Sequence, residues 1–380
     1  MAVTEGQTPA PPAGDLPPMD VASRVGRVRE RLDDAGCDAL VVTNLTNVRY
    51  LTGFTGSAAV VLVTGDEVLF VSDGRYRDQS AEELSAAGVD ARIEIVPADP
   101  DGVVAAAAHD AGVGRLGLEA GSVTWSQQRR WAEELFDGGT LVPTAGVVEE
   151  LRLVKDHGEA VRIRAACAIA DEALAKVRGR LLDGPTESEF ALELDQAMRA
   201  MGAADVSFET IVASGQNGAK PHHRPGARTI REGDLVVLDF GALVDGYHSD
   251  MTRTVAVGDV GEERRRMLEV VLAAQDAGVR AVRAGVEAAE VDRACRDVIE
   301  DAGWADAFLH GTGHGVGLDI HEEPRVSGRS TATLVAGHVV TVEPGVYLPE
   351  LGGVRIEDTV LVADGGCDRL TLAPKDPSLR

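Results

Sequence analysis

Lysine is scarce in this chain. Only Lys155, Lys176, Lys220 and Lys375 occur among 380 residues, and arginine supplies almost all the positive charge. Lysine and arginine total 37 against 62 aspartates and glutamates, a net charge of −25. Nucleic acid needs basic patches to meet its phosphates, so this balance argues against such a partner. It argues equally against an anionic membrane surface. The acidic excess reads as a solubility feature. Long apolar runs are missing too: no stretch approaches the ~20 residues that span a bilayer, and no membrane segment is expected. The four cysteines (Cys37, Cys167, Cys295 and Cys367) lie far apart and show no paired metal spacing. They read as small buried hydrophobes in a reducing compartment, which makes the cytoplasm the expected location. Residues 1–19 are rich in Pro, Ala and Gly and lack the apolar core of a signal peptide. They read as a disordered tail, not a targeting segment.

What remains is ordinary for a soluble globular protein: 44% hydrophobic and 26% charged, with length for two domains. Asp20 is placed to cap a helix that buries Val21, Val25, Val28 and Leu32 and ends near Gly36. A buried strand is expected at Asp38–Val42. A hairpin is expected from Ala58–Val63 and Val68–Val71 around Thr64-Gly-Asp-Glu67. Strand patterns at Arg92–Val96, Arg115–Glu119 and Thr140–Val142 alternate with helical patterns from Gln79, Gly102 and Ser126. This alternation marks an α/β domain over residues 20–150. From 151 to 380 the order changes. Helices over His157–Leu182 and from Thr186 to Met201 precede one hairpin, and helices over Glu262–Ala284 and Glu287–Gly303 precede another. Helix, helix, hairpin, twice over, reads as a duplicated α+β unit whose antiparallel sheet is covered by helices.

The two hairpins are alike. The first runs from Gly233 to Val255 and the second from Gly337 to Val362. Each has an apolar strand with an acid at its end, then Gly, a turn, and a second acid entering another strand. Asp239 aligns with Glu343, and Asp250 with Glu357. Alone, Asp239 would be a strand-end turn former, and Asp250 or Glu357 an exposed charge. A turn former need not reappear at the equivalent place in a repeat. Acids at the ends of apolar runs are costly to bury without positive charge beside them. Four of them converging on a pseudo-twofold axis point to divalent metal ions. Arg253 and Asp358, next to these acids, fit a structural ion pair.

Of nine histidines, three fall in Gly-rich or Pro-rich settings. His314 lies in His-Gly-Thr-Gly-His-Gly-Val-Gly, where glycines let the backbone approach a ligand. His321 lies in Leu-Asp-Ile-His-Glu-Glu-Pro, and His222 in Lys-Pro-His-His-Arg-Pro. A lone histidine is more often a surface or core residue, but three beside four patterned acids favour a site. Four carboxylates balance two divalent cations, and one imidazole adds a neutral ligand. Oxygen-rich ligation of this kind suits Mn²⁺, Co²⁺ or Fe²⁺ better than Zn²⁺.

The set Asp239, Asp250, His314, Glu343 and Glu357 resembles the ligands of the dinuclear metallopeptidases of the pita-bread fold. That family includes methionine aminopeptidase, prolidase and aminopeptidase P, and the resemblance covers nearly all of residues 21–375. The stretches Asn47–Ser57 and Ser72–Tyr76 look like the creatinase-type N-terminal domain of the Xaa-Pro branch, which methionine aminopeptidases lack. Val154-Lys-Asp156 resembles the start of that branch's catalytic domain. The resemblance implies that Asp239 chelates one metal, that Asp250 and Glu357 bridge two, and that His314 and Glu343 bind the second. It implies that Glu343 also takes a proton from water. His222 and His321 match the family's outer histidines, which contact substrate and the developing oxyanion. Arg355, in Gly-Gly-Val-Arg-Ile-Glu, matches an arginine that holds substrate or a neighbouring acid. The implied activity is Xaa-Pro aminopeptidase on short peptides with proline second, with Xaa-Pro dipeptidase (prolidase) as the alternative. A methionine aminopeptidase or a non-catalytic binding module fits less well. The implied cofactors are two divalent ions, Mn²⁺ before Co²⁺ or Fe²⁺, and the implied assembly is a homodimer or higher homo-oligomer. Two positions depart from the pattern: His223 stands where Gly is usual, and Lys220 where an apolar residue is common. Both bear on the substrate mouth.

Overall fold

The computed structural model describes residues 16–379. The chain forms two compact units, Pro18–Arg152 and the stretch from Leu153 onward, the latter with the segment ending at Pro17. Most of the expected tail, residues 1–15, lies outside the described residues. Its end departs from the expectation of disorder: Leu16 packs on Ala165, Ala166 and Val244, and the Pro17 carbonyl accepts from Arg162 at 2.7 Å.

In Pro18–Arg152 six strands form one sheet. Their order is Arg92–Ile95, Val68–Ser72, Ala59–Val63, Ala39–Val42, Arg115–Glu119, Thr140–Thr144. The hairpin pairs Val61 with Phe70 antiparallel, while Ala39–Val42, Arg115–Glu119 and Thr140–Thr144 run parallel. Ala39–Val42 is buried at every position, as a central strand covered on both faces must be. The first helix is shorter than expected, Arg24–Arg29, although Val21, Val25, Val28 and Leu32 are all buried. Asp20 does not cap it; its carboxylate accepts from Ser23 Oγ at 2.7 Å. Helix Leu45–Thr52, capped by Asn44 and closed by left-handed Gly53, was not expected. Its Thr, Asn and Val content is a poor helix signal, and burial of Val48, Tyr50 and Leu51 overrides it.

In the second unit, helix His157–Val177 opens with a capping box between Asp156 and Glu159, and helix Glu187–Ala200 with one between Thr186 and Glu189. Their apolar faces (Ala170, Leu174, Phe190, Leu194) pack on Val236, Leu238 and Phe240 of the first hairpin. Helices Glu262–Ala281 and Ala288–Asp301 bury Val271, Val291 and Ile299 against Val340, Val342 and Val360 of the second. Each hairpin thus has its own helical cover and its own core. Strand Leu235–Phe240 pairs antiparallel with Met251–Ala256, and Val339–Val342 with Asp358–Ala363. Asp250 and Glu357 immediately precede the returning strands. The ladders differ in register: Met251 faces Phe240, one past Asp239, whereas Asp358 faces Val342, one short of Glu343.

The two hairpins meet strand to strand. The Glu357 N–H donates to the Thr252 carbonyl at 3.0 Å. The Thr254 hydroxyl donates to the Arg355 carbonyl at 2.8 Å. This seam brings the beginnings of both returning strands, and hence the acids there, to one place. The architecture is the expected α+β one, a smaller α/β unit followed by a helix-covered, duplicated antiparallel one.

Candidate metal centre

The side chains of Asp239, Asp250, His314, Glu343 and Glu357 line one cleft of about 600 Å³ in the second unit. One carboxylate oxygen each from Asp250 and Glu357 and a ring nitrogen of His314 all lie within 4.8 Å of one another. His314 Nε2 is 3.6 Å from Asp250 Oδ2 and 3.4 Å from Glu343 Oε1. His314 Nδ1 faces the Gly315 carbonyl at 3.0 Å, which fixes the ring and leaves Nε2 toward the acids. Burial pushes the imidazole down to about 3, so it is neutral and its ring nitrogen is free to ligate.

Burial pushes the Glu343 carboxyl up to about 8, opposed by Arg355 and reinforced by Asp239. Burial and then the neighbouring carboxylates hold Asp250 and Glu357 well above the ordinary carboxylate range. Protein alone therefore favours the protonated form of each of these groups. Two of the acids' buried oxygens, Asp239 Oδ1 and Glu357 Oε1, have no hydrogen-bond partner. Orphaned buried acceptors are rare. Oxygens held together without donors, beside one neutral imidazole, are what hard divalent cations take as ligands. The residues present fit such ions.

The other oxygens are held firmly. Arg355, fully enclosed, donates to Asp239 Oδ2 at 2.6 Å, to the Tyr347 hydroxyl at 2.8 Å and to Thr252 Oγ1 at 3.1 Å. Thr252 Oγ1 donates to Glu357 Oε2 at 2.7 Å, and Thr341 Oγ1 to Glu343 Oε1 at 3.3 Å. Arg355 contacts Asp239 directly, so the structure ties it to an acid of the cluster. Next along the strand, Arg253 Nη2 meets Asp358 Oδ1 at 2.9 Å with both side chains buried. His222 and His321 line the same cleft, and the His321 ring stands edge-on to His314 with centroids 4.4 Å apart. His223, by contrast, turns to Glu187 at 2.8 Å, and Lys220 to Asn217 at 3.1 Å.

Sequence reasoning passed over His310 and Tyr347. His310 Nε2 meets the Tyr347 hydroxyl at 2.8 Å, extending the chain from Asp239 through Arg355. The signal was present, because His310 opens the same Gly-rich run as His314.

A buried carboxylate cluster with a neutral imidazole lining one cleft is a candidate site for divalent metal ions. The model of metallopeptidase family M24 matches residues 161–364, and that of the creatinase/prolidase N-terminal domain matches residues 24–154. The chain belongs to metallopeptidase family M24. It is 36% identical to the Xaa-Pro dipeptidase of Pyrococcus furiosus over 361 residues, 93% of this chain and 99% of that one. Among solved structures it resembles an Xaa-Pro dipeptidase from Bacillus anthracis, with a TM-score of 0.89 at 38% identity, covering 94% of this chain and 99% of that one. It also resembles an X-Pro aminopeptidase from Thermotoga maritima, with a TM-score of 0.83 at 34% identity, covering 92% and 98%. Among the described residues no helix is long and apolar enough to cross a membrane.

Proposed function

We propose that this protein hydrolyses the bond before proline at the N-terminus of short peptides. The observation that carries the reading is the convergence of Asp239, Asp250, His314, Glu343 and Glu357 at one cleft, with two orphaned carboxylate oxygens. These five would hold two divalent ions, Mn²⁺ first among the candidates. When bound, the ions lower the pKa of water and polarise the scissile carbonyl.

The protein's own groups supply the rest. Glu343 takes a proton from the attacking water and delivers it to the proline nitrogen. His321 faces the developing oxyanion, and His222 contacts the substrate. Arg355 fixes Asp239. The bond before proline is a tertiary amide with no N–H, and its backbone is restricted. Enzymes that grip the leaving-side N–H fail on it, whereas this cleft needs only the carbonyl and the free amine.

A second reading is an Xaa-Pro dipeptidase, favoured by the higher identity and TM-score of the solved dipeptidase relative. Four free cysteines support a cytoplasmic location. Turnover of Ala-Pro against Ala-Pro-Pro separates the two readings, since a dipeptidase cleaves only the first efficiently. Within either, Glu343→Ala is expected to lower kcat at least about 100-fold. Near-normal turnover at unchanged metal content refutes the role given to Glu343.

A further inference from the structure

Glu187 opens helix Glu187–Ala200 and is completely buried, yet it is neither a ligand nor part of the cleft. Its carboxylate gathers donors from one distant segment. Oε1 accepts from the Ser214 N–H at 2.8 Å, the Ser214 hydroxyl at 2.6 Å and Asn217 Nδ2 at 3.0 Å. Oε2 meets His223 Nε2 at 2.8 Å and accepts from the Gly226 N–H at 3.2 Å. Burial would raise this carboxyl, but the donors from Ser214, Asn217 and His223 outweigh it and hold the pKa below the usual value. Both ends of the segment 214–226 are thus tied to one anion. His222, which lines the cleft, lies between those ends.

The opposite side of the segment is also fixed. A Cβ added to Gly353 would sit 1.9 Å from the Gly218 carbonyl oxygen, and one on Gly352 would sit 2.4 Å from that of Gly215. The segment therefore lies backbone to backbone on strand Gly352–Arg355, and Arg355 Nη1 reaches the Pro221 carbonyl at 3.4 Å. It is held between a buried anion and the strand whose arginine holds Asp239.

We propose that Glu187, with His223 as one of its donors, is a positioning residue that sets the placement of His222 over the cleft. This rests on the proposed hydrolysis and on the substrate contact given to His222. It also gives the unusual residue at 223 a role: its imidazole, which lines the cleft, fastens the segment to Glu187.

The test is a double-mutant cycle of Glu187→Gln and His222→Ala, with kcat and KM on Ala-Pro in manganese. Glu187→Gln keeps the shape but loses the charge and one acceptor. It is expected to lower kcat/KM between about 10- and 100-fold in the wild-type background, and by less than about 2-fold once His222 is alanine. Hydrogen exchange over residues 214–226 reads the anchor without reference to activity, and it should quicken in Glu187→Gln. Equal losses in both backgrounds, unchanged exchange, or loss of bound manganese overturns the proposal. If Glu187→Gln does not fold, the same cycle with His223→Gly, which removes one donor, applies with the same criteria. A wild-type protein inert on prolyl peptides sinks the functional reading instead, and the exchange result still decides whether Glu187 anchors the segment.

Discussion

Stripping the metal should make this protein less stable as pH rises, contrary to the usual behaviour of carboxylates. The Glu343 carboxyl is largely buried and raised from 4.5 to about 8, mainly by that burial. Its folded pKa exceeds its unfolded one, so the native state holds the proton longer. The stability this supplies is complete below about pH 4.5 and is lost progressively up to about pH 8. At about 1.4 kcal/mol per pH unit, that window corresponds to about 5 kcal/mol. Asp250 and Glu357 shift in the same direction and steepen the loss. Below about pH 6.5 three histidines oppose this trend, because burial holds His314 down to about 3 and His310 and His338 down to about 4. From pH 6.5 to pH 8 the loss is about 2 kcal/mol, and at roughly 2–4 °C per kcal/mol the midpoint should fall on the order of 5 °C. Calorimetry on chelator-dialysed protein measures it. Saturating Mn²⁺ should abolish or reverse the slope, because cations favour the ionised ligands and protons compete with them. In metal-free Glu343→Gln, which cannot ionise at that position, the slope should shrink. A metal-free midpoint that stays flat or rises from pH 6.5 to 8 refutes the picture of uncompensated buried acids.

Two further outcomes follow from contacts around the centre. Asp358→Asn leaves Arg253 and Lys375, at 2.9 and 2.7 Å from its carboxylate, without their counter-charge. The expected cost is about 3–5 kcal/mol, read as a lower thermal midpoint, and a midpoint within about 1 °C of wild type refutes it. Gly353→Ala places a methyl 1.9 Å from the Gly218 carbonyl oxygen. It should destabilise by about 1–3 kcal/mol and lower kcat/KM, because the displaced segment carries His222. Wild-type melting and kinetics would show that the backbone approach is not needed.

What the sequence disclosed about the site was the part written as repetition. Asp239, Asp250, Glu343 and Glu357 stand out because an acid at the end of an apolar strand is expensive and because each recurs in the second hairpin. Arg253 and Asp358 were legible as a structural pair because they lie next to these acids. Glu187, Thr252, Thr341 and Tyr347 were not. Nothing in a strand threonine distinguishes one that faces solvent from one that holds a carboxylate, and nothing in a first-turn glutamate marks one that holds a loop 27 residues away. That information lies in tertiary contact, which has no local period. In the fold, the strands were legible from their apolar runs, whereas helix Leu45–Thr52 was hidden by its poor propensity and formed by burial.

The charge balance of the centre connects these observations. Four carboxylates facing two divalent cations would cancel if nothing else were present. Arg355 is present, enclosed and bonded to Asp239, and burial does not discharge it: Tyr347, Asp239 and Glu343 hold its pKa above the ordinary value. With the guanidinium included, a centre loaded with two divalent ions carries one positive charge in excess. A low-dielectric cleft tolerates that poorly, so it should draw in a single negative charge. The oxyanion formed in the proposed hydrolysis would meet that need, whereas a neutral substrate carbonyl would not. Arg355 thus does more than brace Asp239. On the proposed hydrolysis, its fixed positive charge beside the acids would favour the charge that appears along the reaction over the ground state.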